Sequence, residues 1–368
     1  VIYSYYNNIF QVLCIIKTCP ILNFSLKSWF LNKFRENKIM ANQKVKALGI
    51  SSGGLDSILS ALVLKDAGVD VKWITFVTPF FTAEKSETAS DRYGIPLRVE
   101  NISETYIKMM KSSDVKYGKN MNPCLHCHTL MFSIAGSLMK EEGADFLFSG
   151  EVAGQRPMSQ TKNALKYVEK HSGYRGYIVR PLSAGLLPET IPEQKGWIKR
   201  SDLCKISGRS RKPQIELAKK YNVSDYPAPA GGCLLTDKIY SKRLSDLMEF
   251  QEIIELNDYE LLKYGRHLRI SPFEKLIVGR DEKENEQLFS ISKEIECITI
   301  KVLDYPGPFS ILRGSGENMF TAGSVCAAYS KAPAGSKCRV MFLKPGSDME
   351  LVKEICVPHK SEVSDILV

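Results

Sequence analysis

From Val45 onward short apolar runs alternate with amphipathic segments, and that alternation restricts the first half of the chain to one class of fold. Val45–Ile50, Val71–Phe76, Leu97–Asn101, Asp145–Phe148 and Gly176–Arg180 read as strands. Between them Asp56–Lys65, Thr82–Tyr93, a segment from Ser103 and Thr129–Glu141 read as helices, the first with Ile58, Leu59, Leu62 and Val63 on one face. Strands separated by helices at this spacing pair in parallel through right-handed crossovers. The expectation is an α/β, doubly wound parallel sheet whose ligands sit beyond the carboxyl ends of the strands.

After about Asp237 the pattern changes. Helical stretches at Arg243–Leu256 and Asp258–Tyr264 precede strands at Lys275–Val278, Cys297–Leu303, Phe309–Leu312, Cys338–Leu343 and Leu351–Cys356, with a helix near Ala322–Tyr329. This is a small C-terminal α+β domain, an accessory unit expected to bind RNA. Domains are therefore expected at 40–236 and 237–368. Residues 1–39 lack periodicity and begin with Val. They read as a non-native or disordered leader ahead of Met40, with a targeting or membrane-associating extension as the alternative. Lys17, Lys27, Lys33, Arg35 and Lys38 against Glu36 put +4 of the net +9 there, so global charge says little about partners. No apolar run approaches the roughly 20 residues of a membrane span. Ten cysteines without regular spacing in 368 residues suit a reduced, cytoplasmic chain rather than a disulfide scaffold.

The first strand runs into Ser51-Ser52-Gly53-Gly54-Leu55-Asp56-Ser57. Glycines let backbone N–H groups approach an anion, and the helix that follows points its positive end there. Asp56 and Ser57 fall where a helix is capped, so a glycine turn with a capped helix accounts for the same residues. Neither a Walker A lysine nor a G-x-G-x-x-G fingerprint is present.

Asn122-Pro123-Cys124-Leu125-His126-Cys127-His128 is the densest run of soft ligands. Haem attachment, a zinc site lacking two further ligands, inert thiols, and reactive thiols or an iron–sulfur site all compete for it. The dipole of the Thr129–Glu141 helix is expected to lower the pKa of Cys127. Cys233 follows Gly231-Gly232 in a Pro- and Gly-rich segment, an accessible setting. Cys297, Cys326, Cys338 and Cys356 lie in apolar surroundings, and Cys204 in a basic stretch.

S-G-G-x-D-S directly after a first strand resembles the pyrophosphate loop of the PP-loop ATP pyrophosphatases, which have the adenine nucleotide alpha hydrolase-like fold. The resemblance assigns Ser51, Ser52, Gly53, Gly54, Asp56, Ser57 and Gly150 to ATP and Mg²⁺. Asn122-Pro123 with Cys127 and Phe132, Ser149-Gly150-Glu151-Val152-Ala153, and Gly232-Cys233 resemble motifs of tRNA-specific 2-thiouridylases of the MnmA type and of ThiI-like thiolases, over roughly residues 44–237. It implies an ATP-dependent sulfurtransferase that adenylates a uridine carbonyl in tRNA and replaces its oxygen by sulfur. Asp56, Cys127 and Cys233 then carry catalysis, with a cysteine desulfurase, sulfur-carrier protein or free sulfide as donor. Two departures stand out. Glu151 and Val152 occupy the family's histidine position, and Cys124 is extra. Cys124, Cys127 and Cys233 together resemble the three ligands of a 4Fe–4S cluster in cluster-dependent thiolases.

Lys195, Lys199, Arg200, Lys205, Arg209, Arg211 and Lys212, with Trp197 among them and Asp202 the only acid, suit an RNA backbone and a stacked base. A solvated basic face accounts for them too. Arg266, Arg269 and Arg280 add cations downstream. Two rival functions stand beside thiolation: a PP-loop amide ligase, which needs no clustered cysteines, and a non-catalytic RNA-binding relic.

Overall fold

The computed structural model describes residues 44–228, 233–344 and 350–368. Residues 1–39 and the Gly231-Gly232 pair lie outside the described residues. The first sheet contains β1 (Lys46–Ile50), β2 (Asp70–Val77), β3 (Leu97–Asn101), β4 (Phe146–Ser149) and β5 (Ile178–Val179) in the order β3-β2-β1-β4-β5, every pair parallel. The chain winds out from β1 to β3 and returns to β4, so the switch point lies between β1 and β4, where ligands of doubly wound sheets bind.

Seven helices accompany this sheet: α1 (Leu55–Asp66), α2 (Glu84–Tyr93), α3 (Ser103–Met110), α4 (Cys124–Met139), α5 (Lys162–His171), the short α6 (Ile191–Gln194) and α7 (Lys212–Lys220). Alternation along the strands divides them. Ala47, Trp73, Phe146, Phe148 and Val179 point to one side, where α1 and the segment from Leu182 to Val223 pack. Leu48, Ile74, Phe76, Leu147 and Ile178 point to the other, against α3, α4 and α5. Strands buried on both faces read as nearly continuous apolar runs, which is why they were legible.

Two helices, α8 (Lys238–Phe250) and α9 (Leu256–Leu261), follow Cys233. Tyr240, Leu244, Leu247, Tyr259 and Leu262 belong to the α4-side core of the first sheet. The first core thus continues through Leu262, beyond the change of pattern at Asp237. The second sheet is entirely antiparallel: β6 (Arg266–Ser271), β7 (Glu274–Val278), β8 (Ile298–Val302), β9 (Phe309–Arg313), β10 (Lys337–Leu343) and β11 (Glu350–Cys356), ordered β11-β10-β8-β9-β7-β6. Of its helices, α11 (Met319–Ala328) covers one face and α10 (Glu282–Ser292) the other.

Strand β6 and helix α10 were not read from the sequence. In β6 the pattern is masked by Arg266, His267 and Arg269. His267 is buried, bonded through Nε2 to the carbonyls of Leu261 and Tyr264, and Arg269 pairs with Asp246. Arg280 pairs with Glu284 and Asp281 caps α10, so neither Arg269 nor Arg280 is a free cation. Cys356, expected in an apolar setting, is exposed on the edge strand β11.

Candidate active site

The loop after β1 is shaped by contacts that leave no room for side chains. Gly53 has φ +65°, and a Cβ there would stand 2.2 Å from the Lys85 backbone. Only glycine meets both conditions at little cost. Gly150, at the end of β4, passes so close to α1 that a Cβ would lie 2.5 Å from the Asp56 carbonyl carbon. The two loops at the switch point are therefore pressed together. The Ser51 hydroxyl accepts from the Gly53 N–H at 3.1 Å, and buried Ser86 donates to the Ser51 carbonyl at 3.2 Å.

Helix α1 begins at Gly54 without a side-chain cap. The expected capping by Asp56 and Ser57 is thus corrected. Ser57 Oγ instead accepts from the Ser52 N–H at 3.3 Å, and Asp56 Oδ2 accepts from Gln155 Nε2 at 2.9 Å. Burial raises the Asp56 carboxyl above its ordinary value, while Gln155, Arg211 and Arg156 oppose that rise. Asp56 Oδ1, Gln155 Oε1 and both amide atoms of the fully buried Gln214 lack hydrogen-bond partners among the described residues. A concentration of unsatisfied polar atoms is costly in a core and suits a place where a polar ligand arrives. Gln155 and Gln214 went unread because an isolated glutamine carries no pattern. The sole clue for Gln155 was its position beyond the end of β4.

Helix α4 starts at Cys124, directly after Pro123, five residues earlier than the spacing suggested. Cys124 is therefore its first residue and Cys127 lies in its first turn. The dipole does not decide the chemistry there. Burial pushes the Cys127 thiol up to about 12, against the Tyr106 hydroxyl, which pulls it down. Cys233 is likewise pushed up by burial, to about 11, opposed by the Leu235 backbone N–H and by Arg156. Charge on Cys124 or Cys233 would raise Cys127 further, so the three sulfurs lie within electrostatic reach of one another. Two links hold their loops: Leu234 N–H to the Phe80 carbonyl at 3.1 Å, and Asn120 Nδ2 to the Thr236 carbonyl at 2.7 Å. Among the described residues, however, no three His, Cys, Asp or Glu side chains gather as a metal-holding group. The trio converges without the spacing of a formed cluster site. Cys204 stands apart, packed at the rim of the α1-side core.

Glu151 ties this region together. Its oxygens accept from His128 Nδ1 at 2.8 Å and from Arg180 Nε at 2.9 Å, and Arg180 also pairs with Glu169. Burial alone would raise this carboxyl, but the charges and hydrogen bonds of Arg180 and His128 hold it down at about 2. The residue at the family's histidine position is thus committed to an internal ion-pair network. Of the basic stretch, Arg200 bonds Glu193 and the Leu187 carbonyl, Lys195 lies over Trp197 and Arg211 over Tyr226. Lys199, Arg209 and Lys212 remain exposed.

Residues 42–192 match the family model described as "Thiamine biosynthesis protein (ThiI)", and residues 265–363 match that of the NFACT protein RNA-binding domain. A tRNA-specific 2-thiouridylase MnmA of Clostridium botulinum is 32% identical over 116 residues, 27% of this chain and 32% of that protein. The MnmA of Coxiella burnetii is 30% identical over 153 residues, 38% of this chain and 40% of that protein. The chain therefore matches well under half the length of either relative. A solved 4-thiouridine synthetase–RNA complex with bound ATP superposes at a TM-score of 0.31 with 22% identity, covering 49% of this chain and 52% of that one. The doubly wound half of this chain resembles the PP-loop ATP pyrophosphatases of the ThiI and MnmA type.

Proposed function

We propose that this protein is an ATP-dependent tRNA sulfurtransferase, forming thiouridine through adenylation of a uridine carbonyl. One observation carries the reading: the two thiol-bearing segments are tied together at the carboxyl end of the sheet, by Asn120 Nδ2 to the Thr236 carbonyl at 2.7 Å and by Leu234 N–H to the Phe80 carbonyl beyond β2 at 3.1 Å, with Cys127 and Cys233 packed against one core. Paired thiols at the end of the sheet where the glycine loop also lies are something an amide ligase would not need. The matches to ThiI and to thiouridylases favour the same chemistry, and the RNA-binding-domain match suits an RNA substrate.

In this reading Ser51, Ser52, Gly53, Gly54, Ser57 and Gly150 form the cradle for the ATP phosphates at the positive end of α1. Asp56 Oδ1 and Gln155 Oε1 are unpaired oxygens of the type a hard cation takes, which fits Mg²⁺. Bound there, Mg²⁺ would offset phosphate charge. The uridine oxygen attacks the α-phosphorus of ATP, and pyrophosphate leaves. A Cys127 persulfide, loaded from the persulfide of a desulfurase or of a sulfur-carrier protein, or from sulfide together with a two-electron oxidant such as a disulfide, then attacks the activated carbon through its terminal sulfur, and AMP departs with the oxygen. Cys233 thiolate next attacks Cys127 Sγ, leaving the sulfur on the base and forming a disulfide that an external thiol reduces. The raised thiol pKa values suit a resting state in which both cysteines are protonated, so that each must give up its proton before it acts. ATP and tRNA meet in the cytoplasm, where we place the reaction.

The test uses full chain, tRNA transcript, ATP and sulfur donor, with AMP, pyrophosphate and thiouridine measured together. Cys127→Ala and Cys233→Ala are expected to abolish thiouridine while RNA-stimulated AMP release persists. Undiminished product in both variants would point to the amide ligase. Absence of RNA-stimulated AMP release in the unaltered protein would leave an RNA-binding relic. Iron and acid-labile sulfide are measured on oxygen-free protein. About four irons, lost in Cys124→Ala, would replace the persulfide by a cluster.

A further inference from the structure

The cysteines stand on the α4 side of the sheet, whereas the basic stretch Lys195–Lys212 belongs to the α1 side. An RNA base delivered to the cysteines needs a surface on their own side. Helix α5 has the chemistry for it. Lys162, Lys166 and Lys170 recur every four residues, all exposed, so they form one stripe. Glu169, the only acid of the helix, is turned inward onto Arg180, and Glu189 and Glu193, which share a cavity with Lys162 and Lys166, lie against Arg200 instead of the stripe.

Beside the lysines runs a ladder of flat rings. Tyr167 stacks on His171 with centroids 4.1 Å apart and an interplanar angle of 29°. His126 packs edge-on with Tyr167, with centroids 6.2 Å apart and an interplanar angle of 68°. His126 is the residue before Cys127 in the first turn of α4, so the ladder begins next to a sulfur-bearing residue. Cations that follow a backbone beside aromatic rings that accept bases are how unpaired RNA is bound without sequence preference.

We infer that the outer face of α5, with the His126–Tyr167–His171 ladder, is a docking surface for the unpaired RNA strand that carries the target uridine. The inference rests on the proposed tRNA reading. An acidic sulfur-donor protein would match the lysines but would have no use for the ring ladder.

The experiment measures binding of a tRNA transcript to the full chain over a series of salt concentrations. The α5 variant Lys162→Gln/Lys166→Gln/Lys170→Gln is compared with Lys199→Gln/Arg209→Gln/Lys212→Gln on the opposite side. Loss of three phosphate contacts with single-stranded RNA should flatten the slope of log K against log salt by about 2 in the α5 variant. Tyr167→Leu should weaken binding about 5- to 100-fold at fixed salt. Stabilisation by ATP in thermal melts should stay as in the unaltered protein, which shows that the variants are folded. Unchanged slope and affinity in the α5 variants, with tight binding by the unaltered chain, would overturn the inference and leave the tRNA reading intact. An α5 variant that loses sulfur transfer but keeps its RNA affinity would also overturn it, in favour of donor docking. Failure of the unaltered chain to bind any tRNA would instead defeat the tRNA reading itself.

Discussion

On the α1 side of the parallel sheet, the glycine loop after β1 is held by backbone proximity. Gly53 rests against Lys85, Gly150 presses on Asp56, and Asp56 Oδ1, Gln155 Oε1 and the Gln214 amide have no partners among the described residues. On the α4 side, Glu151, Arg180, Glu169 and His128 form an ion-pair network that leaves Arg180 Nη2 without a partner among the described residues, and desolvation suppresses ionisation of the half-buried Cys127 thiol. One side is shaped by close backbone approach around open polar atoms, and the other carries an ion-pair network that reaches α4 through His128, the residue after Cys127. A reaction that must admit ATP before exposing a nucleophilic sulfur benefits from this difference. The first side offers unmet hydrogen bonds to a ligand, and the second resists forming a thiolate until something changes its surroundings.

The largest expected effect separates the two sides chemically. Cys127→Ser should lower thiouridine formation by about 10³-fold or more, while ATP still raises the melting temperature. Coupled loss of both would mean that the two sides are not separable. Glu151→Leu comes next. It strips the buried Arg180 guanidinium of one partner and should destabilise the fold by roughly 3–5 kcal/mol in denaturant unfolding.

The same carboxylate sets an acid limit. Because its folded pKa is depressed to about 2, its contribution is complete above the unfolded value near 4.5 and is lost as pH falls toward 2. Unfolding free energy should therefore decline less steeply through that window in Glu151→Gln than in the unaltered chain. An identical decline would remove Glu151 from the acid response.

Gly53→Val should cost roughly 1–3 kcal/mol for the positive φ alone, and ATP should no longer stabilise the protein. Retained ATP stabilisation would show that the loop tolerates a side chain and that its shape is not the determinant. The smallest change in stability belongs to Gln214→Met. Removing a buried amide without partners should leave stability unchanged or raise it by about 1 kcal/mol, while ATP stabilisation weakens. Stability and ligand response moving in opposite directions would mark Gln214 as a ligand-site residue. A loss of stability would mark it as core.

Much of this architecture was legible in the sequence because parallel strands covered on both faces leave apolar runs that little else produces. The place of the glycine loop was legible for the same reason: its glycines directly follow such a run. Strand β6 escaped because the polar residues in Arg266–Ser271 are partnered across the fold, His267 by carbonyls and Arg269 by Asp246. Neither partner is visible along the chain. Thiol ionisation was not legible, because a helix end lies along the chain whereas the burial of Cys127, the larger influence, is built from distant segments. Gln155 and Gln214 share this difficulty. They reach Asp56 from distant segments, 99 residues away in the case of Gln155.

Helix α8 belongs to both sheets at once. Tyr240, Leu244 and Leu247 pack into the first core, Arg243 donates to the carbonyls of Leu262 and Gly265, and Asp246 pairs with Arg269 and Lys275 of the second sheet. Its cap, Asp237, lies four residues beyond Cys233. The segment matched by the RNA-binding-domain model is therefore no detachable appendage. A chain cut at Asp237 would expose the apolar face that α8 covers and free the anchor of the second thiol. Helix α8 therefore links the second sheet to the foot of Cys233, so the position of that sulfur depends on the integrity of a sheet that lies beyond it in the chain.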